Sequence, residues 1–367
     1  MVLLLKPLSL RKHCRRCLLK VLDLIDKLHR ENDLTKTELI YILDHITETE
    51  KEVLFKYSLE TKQEYYGDTV YMRGLIEFTN YCVRNCNYCG IRRDQEEAER
   101  YRLSKEQIMQ CCDQGYWLGY RTFVLQGGED PFFTDDLLVD IISSIKSRWP
   151  DVAVTMSIGE RTKDSYKKLK DAGADRYLLR HETANEALYE SIHENMKLSS
   201  RKSCLYDIRE IGFQVGAGFM VGIPGQTNEI LAEDLIFLKG LNPHMVGIGP
   251  FIPHEKTPLA GTTGGTVEET LVMLALTRLM IPSVLLPSTT ALGTLDGKGR
   301  EKALKVGANV VMPNLSPTNV REKYELYQDK ICTGDEAAHC RQCIEGRINS
   351  VGFEVDMGRG DHDGWRK

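Results

Sequence analysis

At 367 residues, 42% hydrophobic and 28% charged, the chain carries enough apolar mass for one large barrel or two modest domains and needs no disulfides to fold. A net charge of -5 and a pI near 6.0 supply no global attraction to nucleic acid or anionic membrane. No apolar run approaches transmembrane length, and Met1–Leu5 is too short for the apolar core of a secretory signal. Eleven cysteines are few for this length and unevenly grouped, which points to metal-binding thiols in a reducing cytoplasm and not to a disulfide scaffold.

Residues 1–65 read as a helical extension. Leu18, Val21, Leu22, Ile25 and Leu28 fall at helical spacing, which favours a helix over a transit peptide despite the basic Arg11–Arg16 stretch. Two more helices are expected over Thr35–Leu43 and Glu48–Thr61. Cys14 and Cys17 have no His or Cys pair at finger spacing nearby, so they read as an incidental pair.

Residues 66–320 alternate short β-rich runs with amphipathic helices. The runs are Val70–Phe78, Thr122–Gln126, Val152–Ile158, Arg176–Arg180, Gln214–Val221, Met245–Phe251, Val284–Thr290 and Ala308–Met312. Between them Leu138, Ile141, Ile142 and Ile145 form one helical stripe, and Leu231, Leu235 and Leu238 another. Gly119, Gly173, Gly212, Asn242 and Gly307 stand where helices should stop in a left-handed residue. Eight βα units predict an α/β fold of (β/α)8 type, a TIM-like barrel. No G-x-G-x-x-G follows the first run to support a Rossmann sheet.

In such a barrel the chemistry sits in the loops after the strands, and here those loops are polar, glycine-rich or both. The first carries Cys82-x3-Cys86-x2-Cys89, three thiols able to meet one metal centre. Closed structural zinc sites and electron-transfer clusters usually take four protein ligands, so three leave one iron of a 4Fe-4S cluster open to another molecule. Gln126–Pro131 follows the second strand, Ser157 and Glu160 the third, Arg180–Thr183 the fourth and Ser288–Thr290 the seventh. Arg180, at a strand end, would be costly to bury unpaired. Either Glu182 neutralises it or it awaits an anionic substrate, and the substrate reading is preferred. His181 reads equally as a proton-transfer group or a packed histidine, and Arg201, near a helix start, as a ligand or an exposed cation.

Residues 321–367 form a C-terminal segment with an expected closing helix around Tyr324–Tyr327, followed by Cys332-x7-Cys340-x2-Cys343. An auxiliary iron-sulfur cluster is the first reading of these thiols. Zinc, with His339 as a further ligand, is the second, and no metal is the third. Cys111, Cys112 and Cys204 lie in helical patterns and read as packing residues.

The cysteine loop, with Tyr88 before its last thiol, resembles that of the radical S-adenosylmethionine (SAM) enzymes. Together with Tyr177–Asn185, Met220–Thr227, Val246–His254, Pro287–Ala291 and Ala308–Asn314, it resembles within them the HydE family of FeFe-hydrogenase maturases, from about Tyr71 through Cys343. The resemblance implies reductive cleavage of SAM to methionine and a 5'-deoxyadenosyl radical. It further implies a place in assembling the two-iron subcluster of the hydrogenase H-cluster, on a sulfur-containing iron-carbonyl-cyanide-cysteine precursor made by a sister maturase. A ferredoxin or flavodoxin would supply electrons, and neither nucleic acid nor membrane would be a partner. By the same resemblance Cys82, Cys86 and Cys89 would hold the 4Fe-4S cluster, whereas Gly128, Glu129, Ser157, Glu182 and Arg201 would contact SAM. Arg180, Thr289 and Thr290 would face the substrate cavity, and Cys332, Cys340 and Cys343 would hold an auxiliary 2Fe-2S or 4Fe-4S cluster. A methylornithine-synthase-like mutase, a biotin-synthase-like sulfur inserter and a non-catalytic zinc or iron-sulfur scaffold are the alternatives. The biotin-synthase reading lacks the cysteines it needs on the third and fourth strands, and the scaffold leaves the glycine and carboxylate loops unexplained.

Overall fold

The computed structural model describes residues 21–334 and 336–365. Cys14, Cys17 and the start of the first expected helix lie outside the described residues. Helices 21–31, Lys36–His45 and Glu48–Tyr66 form the extension. The second and third begin with reciprocal caps: the Glu38 carboxylate accepts from the Thr35 amide while Thr35 Oγ1 accepts from the Glu38 amide, and Thr47 and Glu50 repeat the arrangement. The extension packs on the barrel's outer ring, Glu48–Tyr66 against Val267–Met280 and Lys36–His45 against Asn228–Leu241. Helix Val267–Met280 is apolar nearly all round because it is covered on both sides.

The sheet is parallel and closes on itself. Gly74–Thr79, Thr122–Gly127, Ala153–Ser157, Arg176–Leu178, Gln214–Ala217 and Met245–Val246 pair in chain order. Bridges Met245 to Leu285 and Pro287 to Val310 carry the ring onward, and Val310–Val311 pairs with Tyr71 and Met72 of the first strand. The eight runs therefore make the expected (β/α)8 barrel, with three local departures. The first run breaks at Arg73 into Thr69–Met72 and Gly74–Thr79. The fifth and sixth runs part where Gly218 and Gly247 approach so closely that a Cβ on Gly218 would lie 2.0 Å from the Gly247 carbonyl oxygen. The seventh contributes bridges only, in keeping with Pro287, which has no N–H to give a ladder. All five expected helix stops, Gly119, Gly173, Gly212, Asn242 and Gly307, have positive φ.

The C-terminal segment differs from expectation. Tyr324–Tyr327 is irregular, because Tyr324 is buried and the Leu326 carbonyl accepts from the Gly90 amide (3.0 Å), which draws this stretch down onto the cysteine loop. The helix lies later, at Ala337–Asn349, and carries Cys340 and Cys343. An unexpected strand, Glu354–Asp356, then pairs with Thr69–Tyr71, and the tail beyond it runs across the barrel floor. No described helix is long and apolar enough to cross a membrane.

Candidate active site

The cysteine loop leaves the top of the first strand and is tied down on three sides. The Val83 amide donates to the Glu129 carbonyl (2.9 Å), the Asn87 amide to Ile192 (2.9 Å) and the Gly90 amide to Leu326 (3.0 Å). Its contact with the Gly127-Gly128-Glu129 turn is too close for any side chain. A Cβ on Gly128 would stand 2.2 Å from the Tyr81 carbonyl oxygen and 2.7 Å from Cys82 Cβ. Burial pushes the Cys86 thiol up to about 12, with Cys82 adding to the shift; Cys89 is raised in the same way by burial and by both partners, and Cys82 by burial. Three neighbouring thiols whose ionisation is opposed by burial, and only partly offset by Arg84 at Cys82 and Arg201 at Cys86, suit a bound cationic iron centre, which would keep them deprotonated. Among the described residues no three His, Cys, Asp or Glu side chains are placed to hold a single metal ion. A cubane is broader than an ion and needs its thiols spread apart.

Beside the thiols lies a network of charges from four loops. The Arg84 Nε donates to Glu129 Oε2 (2.5 Å), and Glu129 Oε1 accepts from the Glu160 amide (3.0 Å). Glu160 Oε1 accepts from Arg201 Nε (2.7 Å), and Arg201 Nη1 donates to the Arg180 carbonyl (2.9 Å). Arg201 is therefore no exposed helix-start cation: it is 8% exposed and paired with Glu160. Glu129 is committed to Arg84, so the free edge of its turn is backbone. Ser157 ends the third strand in register with Gln126 of the second. Glu182 holds φ +64, with the His181 and Glu182 amides both donating to the Gly218 carbonyl. His181 is fully buried, 3.3 Å from the equally buried Asp234, and burial holds its pKa well below the usual histidine range; it is a packed, neutral residue.

Inside the barrel mouth is a cavity of about 350 Å³. Tyr88 and Cys89 form one wall, Arg180 and Glu182 another, and Thr289 and Thr290 face them, so the cysteine loop and the three expected substrate-facing residues share one space. Arg180 Nη2 lies 3.0 Å from Glu182 Oε2, so the two readings of this arginine coexist. It has a carboxylate neighbour, yet its Nε and Nη2, Glu182 Oε2 and Thr289 Oγ1 are all buried without an aligned hydrogen bond. Such atoms cost free energy unless a ligand meets them. A second ion pair went unread in the sequence. Lys330 Nζ donates to Glu77 Oε1 (2.5 Å), whose Oε2 accepts from Asn314 Nδ2 (2.7 Å), and both charged residues line the cavity. An acid in the apolar run Leu75-Ile76-Glu77-Phe78 was the available signal for Glu77; Lys330 had none.

The C-terminal thiols are only partly assembled. Cys332 and Cys340 are close enough to share a proton: the Cys340 thiol and then Arg300 hold the Cys332 thiol below its usual range, while Cys332 and burial raise Cys340. Cys343 is exposed, and His339 joins no three-donor group, so the described side chains do not form the zinc set. Arg300 bridges this site to the cavity, its Nη1 3.6 Å from Cys332 Sγ and its Nη2 donating to Thr290 Oγ1 (3.0 Å).

A parallel (β/α)8 barrel with three thiols in the loop after its first strand is the architecture of enzymes that bind a 4Fe-4S cluster and SAM. Residues 76–276 match the radical SAM superfamily model, and the chain belongs to that superfamily. Over 330 residues, 90% of this chain and 94% of the other, it is 44% identical to the [FeFe] hydrogenase maturase subunit HydE of Thermotoga maritima, which makes it a member of the HydE family. It is 27% identical to the 3-methylornithine synthase of Methanosarcina acetivorans, covering 88% of this chain and 90% of that one. The crystal structure of methylornithine synthase (PylB) superposes with a TM-score of 0.79 at 25% identity, over 91% of this chain and 97% of that one. The chain is thus a radical SAM enzyme, and membership implies a 4Fe-4S cluster and SAM.

Proposed function

We propose that the protein acts in FeFe-hydrogenase maturation, on a small sulfur-bearing, anionic iron complex derived from cysteine and delivered by a sister maturase. The observation that carries this reading is the shared cavity, in which the cysteine loop opens directly onto Arg180, Thr289 and Thr290. The 44% identity to HydE, against 27% to the mutase, favours it over the methylornithine-synthase reading.

Cys82, Cys86 and Cys89 would hold three irons of the cluster and leave the fourth for SAM. Reductive cleavage of SAM, yielding methionine and the 5'-deoxyadenosyl radical, is the chemistry that this pair supplies when bound. The protein's own residues then position and enclose. The Gly127–Gly128 edge lets a ligand reach the backbone, and Glu182, whose Oε2 lies beside Arg180 but accepts no aligned hydrogen bond, offers that oxygen to ribose hydroxyls. Arg201, locked by Glu160, presents its remaining N–H groups to a carboxylate. Arg180 and Thr289 contribute unspent hydrogen-bonding groups to the anionic end of the substrate, while Leu75, Val311, Met312 and Phe251 keep that end dry. Cys332, Cys340 and Cys343 would take an auxiliary cluster after Cys343 swings inward, and a ferredoxin or flavodoxin would deliver the electron.

Anaerobically reconstituted protein with dithionite and SAM should yield 5'-deoxyadenosine, and Cys86→Ala should abolish it while Cys340→Ala leaves most of it. Co-expression with apo-hydrogenase and the other maturases should then restore hydrogenase activity only when this chain is present. Activity without it would overturn the assignment.

A further inference from the structure

The turn after the fourth strand is held by a side chain that lies outside the cavity. Arg180 and Glu182 line the cavity, whereas His181 between them is turned outward onto helix Asn228–Leu241, where it meets Asp234 and the Phe237 ring (centroids 4.8 Å apart). The turn that permits this is strained. Glu182 holds φ +64, a region that residues with a Cβ enter at a cost and keep only where their surroundings over-determine it.

From the barrel side the Gly218 carbonyl accepts from the His181 (2.9 Å) and Glu182 (3.1 Å) amides, and the Glu182 carbonyl accepts from the Met220 amide (3.0 Å). From the outer side comes Asp234. Its Oδ1 accepts from the Ala184 amide (2.5 Å), which has no backbone acceptor among the described residues, and lies 3.3 Å from His181 Nε2. One side chain thus grips the chain on both sides of Glu182.

The position is a costly one for a carboxyl group. Asp234 shares the buried face of its helix with Leu231, Leu235 and Leu238, and it and His181 are both 0% exposed. His181 Nδ1 and Nε2 and Asp234 Oδ2 are buried without an aligned hydrogen bond. Burial pushes the Asp234 carboxyl well above its usual range and holds His181 well below its own. The pair is therefore uncharged, an acid beside a free imidazole, and the acid proton is the donor that Nε2 lacks. Leucine would fill the same space in an outer helix; every polar contact of the Asp234 side chain is with the turn.

We propose that Asp234 is a positioning residue for the reaction: it clamps His181 and Ala184, and through them fixes the strained turn that presents Glu182 and Arg180 to the cavity. The proposal rests on the reading of Glu182 as a SAM contact and adds to it a residue on another element, behind the cavity wall.

Asparagine at 234 keeps an acceptor for the Ala184 amide and supplies an N–H to His181, whereas leucine fills the space and offers neither. In cluster-loaded protein, Asp234→Leu should raise the SAM dissociation constant by roughly tenfold or more, about 1.4 kcal/mol per decade, while Asp234→Asn stays within about twofold of the parent. The crystal structure of Asp234→Leu should show Glu182 released from positive φ. Should that variant fail to fold, His181→Phe, which keeps a ring against Phe237 and removes the nitrogens, should weaken SAM binding several-fold, and unchanged binding there overturns the clamp. Glu182→Gln, measured alongside, separates the two readings. Unchanged SAM affinity in Glu182→Gln faults Glu182 as a SAM contact and leaves the crystal structure to decide the clamp; a loss there with none in Asp234→Leu overturns the clamp itself. Glu182 still at positive φ in Asp234→Leu, or asparagine as damaging as leucine, overturns it equally.

Discussion

Gly128→Ala is the sharpest probe of how the cysteine loop is held. The added Cβ would sit 2.2 Å from the Tyr81 carbonyl oxygen, where a carbon and an oxygen normally stay roughly 3.3 Å apart, so one loop must yield by about 1 Å. The obstacle is backbone and cannot rotate away, and Cys82 Cβ stands just behind it at 2.7 Å. Overpacking of this kind typically costs about 1–3 kcal/mol, which is roughly one to two decades in an equilibrium constant. The loop lies at the barrel mouth and not in the main core, so the loss should fall on cluster retention and SAM affinity more than on global unfolding. Gly240→Ala is the matched control: it lies in helix Asn228–Leu241 with nothing within 4 Å of its added Cβ. The control should be neutral or stabilise by about 0.5–1 kcal/mol. Iron content after reconstitution, the SAM dissociation constant and the 5'-deoxyadenosine yield would be measured for both variants. Full iron loading and unchanged SAM affinity in Gly128→Ala would refute the close-approach argument.

Arg180→Ala is expected to spare uncoupled SAM cleavage and weaken substrate capture by tenfold or more; unchanged substrate binding would remove Arg180 from that role. Lys330→Met leaves Glu77 buried without its cation and should cost about 3–5 kcal/mol in urea unfolding. The double variant with Glu77→Gln should recover most of that, and additive losses would show that the two residues are not coupled. Burial lowers His193 to about 3 and His244 to about 4, against roughly 6.5 when unfolded. Below pH 6.5 the unfolded chain therefore binds protons that the folded chain refuses, and stability falls as pH drops toward the folded values. The cost by pH 5.5 is on the order of 1 kcal/mol for each histidine, less for the partly solvated His244. A urea midpoint that holds steady or rises between pH 7.5 and 5.5 would contradict this.

The barrel was legible because its signals are local and repeated. Gly119, Gly173, Gly212, Asn242 and Gly307 each mark a helix end by a φ that other residues resist, and the strand runs alternate with amphipathic stripes. What escaped was long-range. By its place near a helix start Arg201 reads equally as a ligand or an exposed cation, and only folding brings Glu160 from another loop to bury it. Lys330 sits in a polar stretch that nothing in the sequence connects with Glu77, 253 residues earlier. The aromatic pattern of Tyr324–Tyr327 suggested a closing helix, but those side chains serve a different surface, since Leu326 and Tyr327 line the cavity. Periodicity reports that residues are apolar; it does not report what they face.

The C-terminal segment thereby changes standing, from a rim that carries spare cysteines to a structural part of the mouth. The Leu326 carbonyl receives the Gly90 amide next to Cys89, Lys330 closes on Glu77 inside the cavity, and Cys332 reaches Thr290 through Arg300. Within seven residues the segment touches the cysteine loop, the first strand and the loop after the seventh. Beyond them, strand Glu354–Asp356 anchors the other end of the same segment to Thr69–Tyr71, on the strand that leads up to the thiols. A disturbance at Cys332 therefore has a short physical route to the substrate wall through one guanidinium, whereas exposed Cys343 has none of these contacts. The three C-terminal cysteines are unequal in this fold, and the one nearest the chemistry is Cys332.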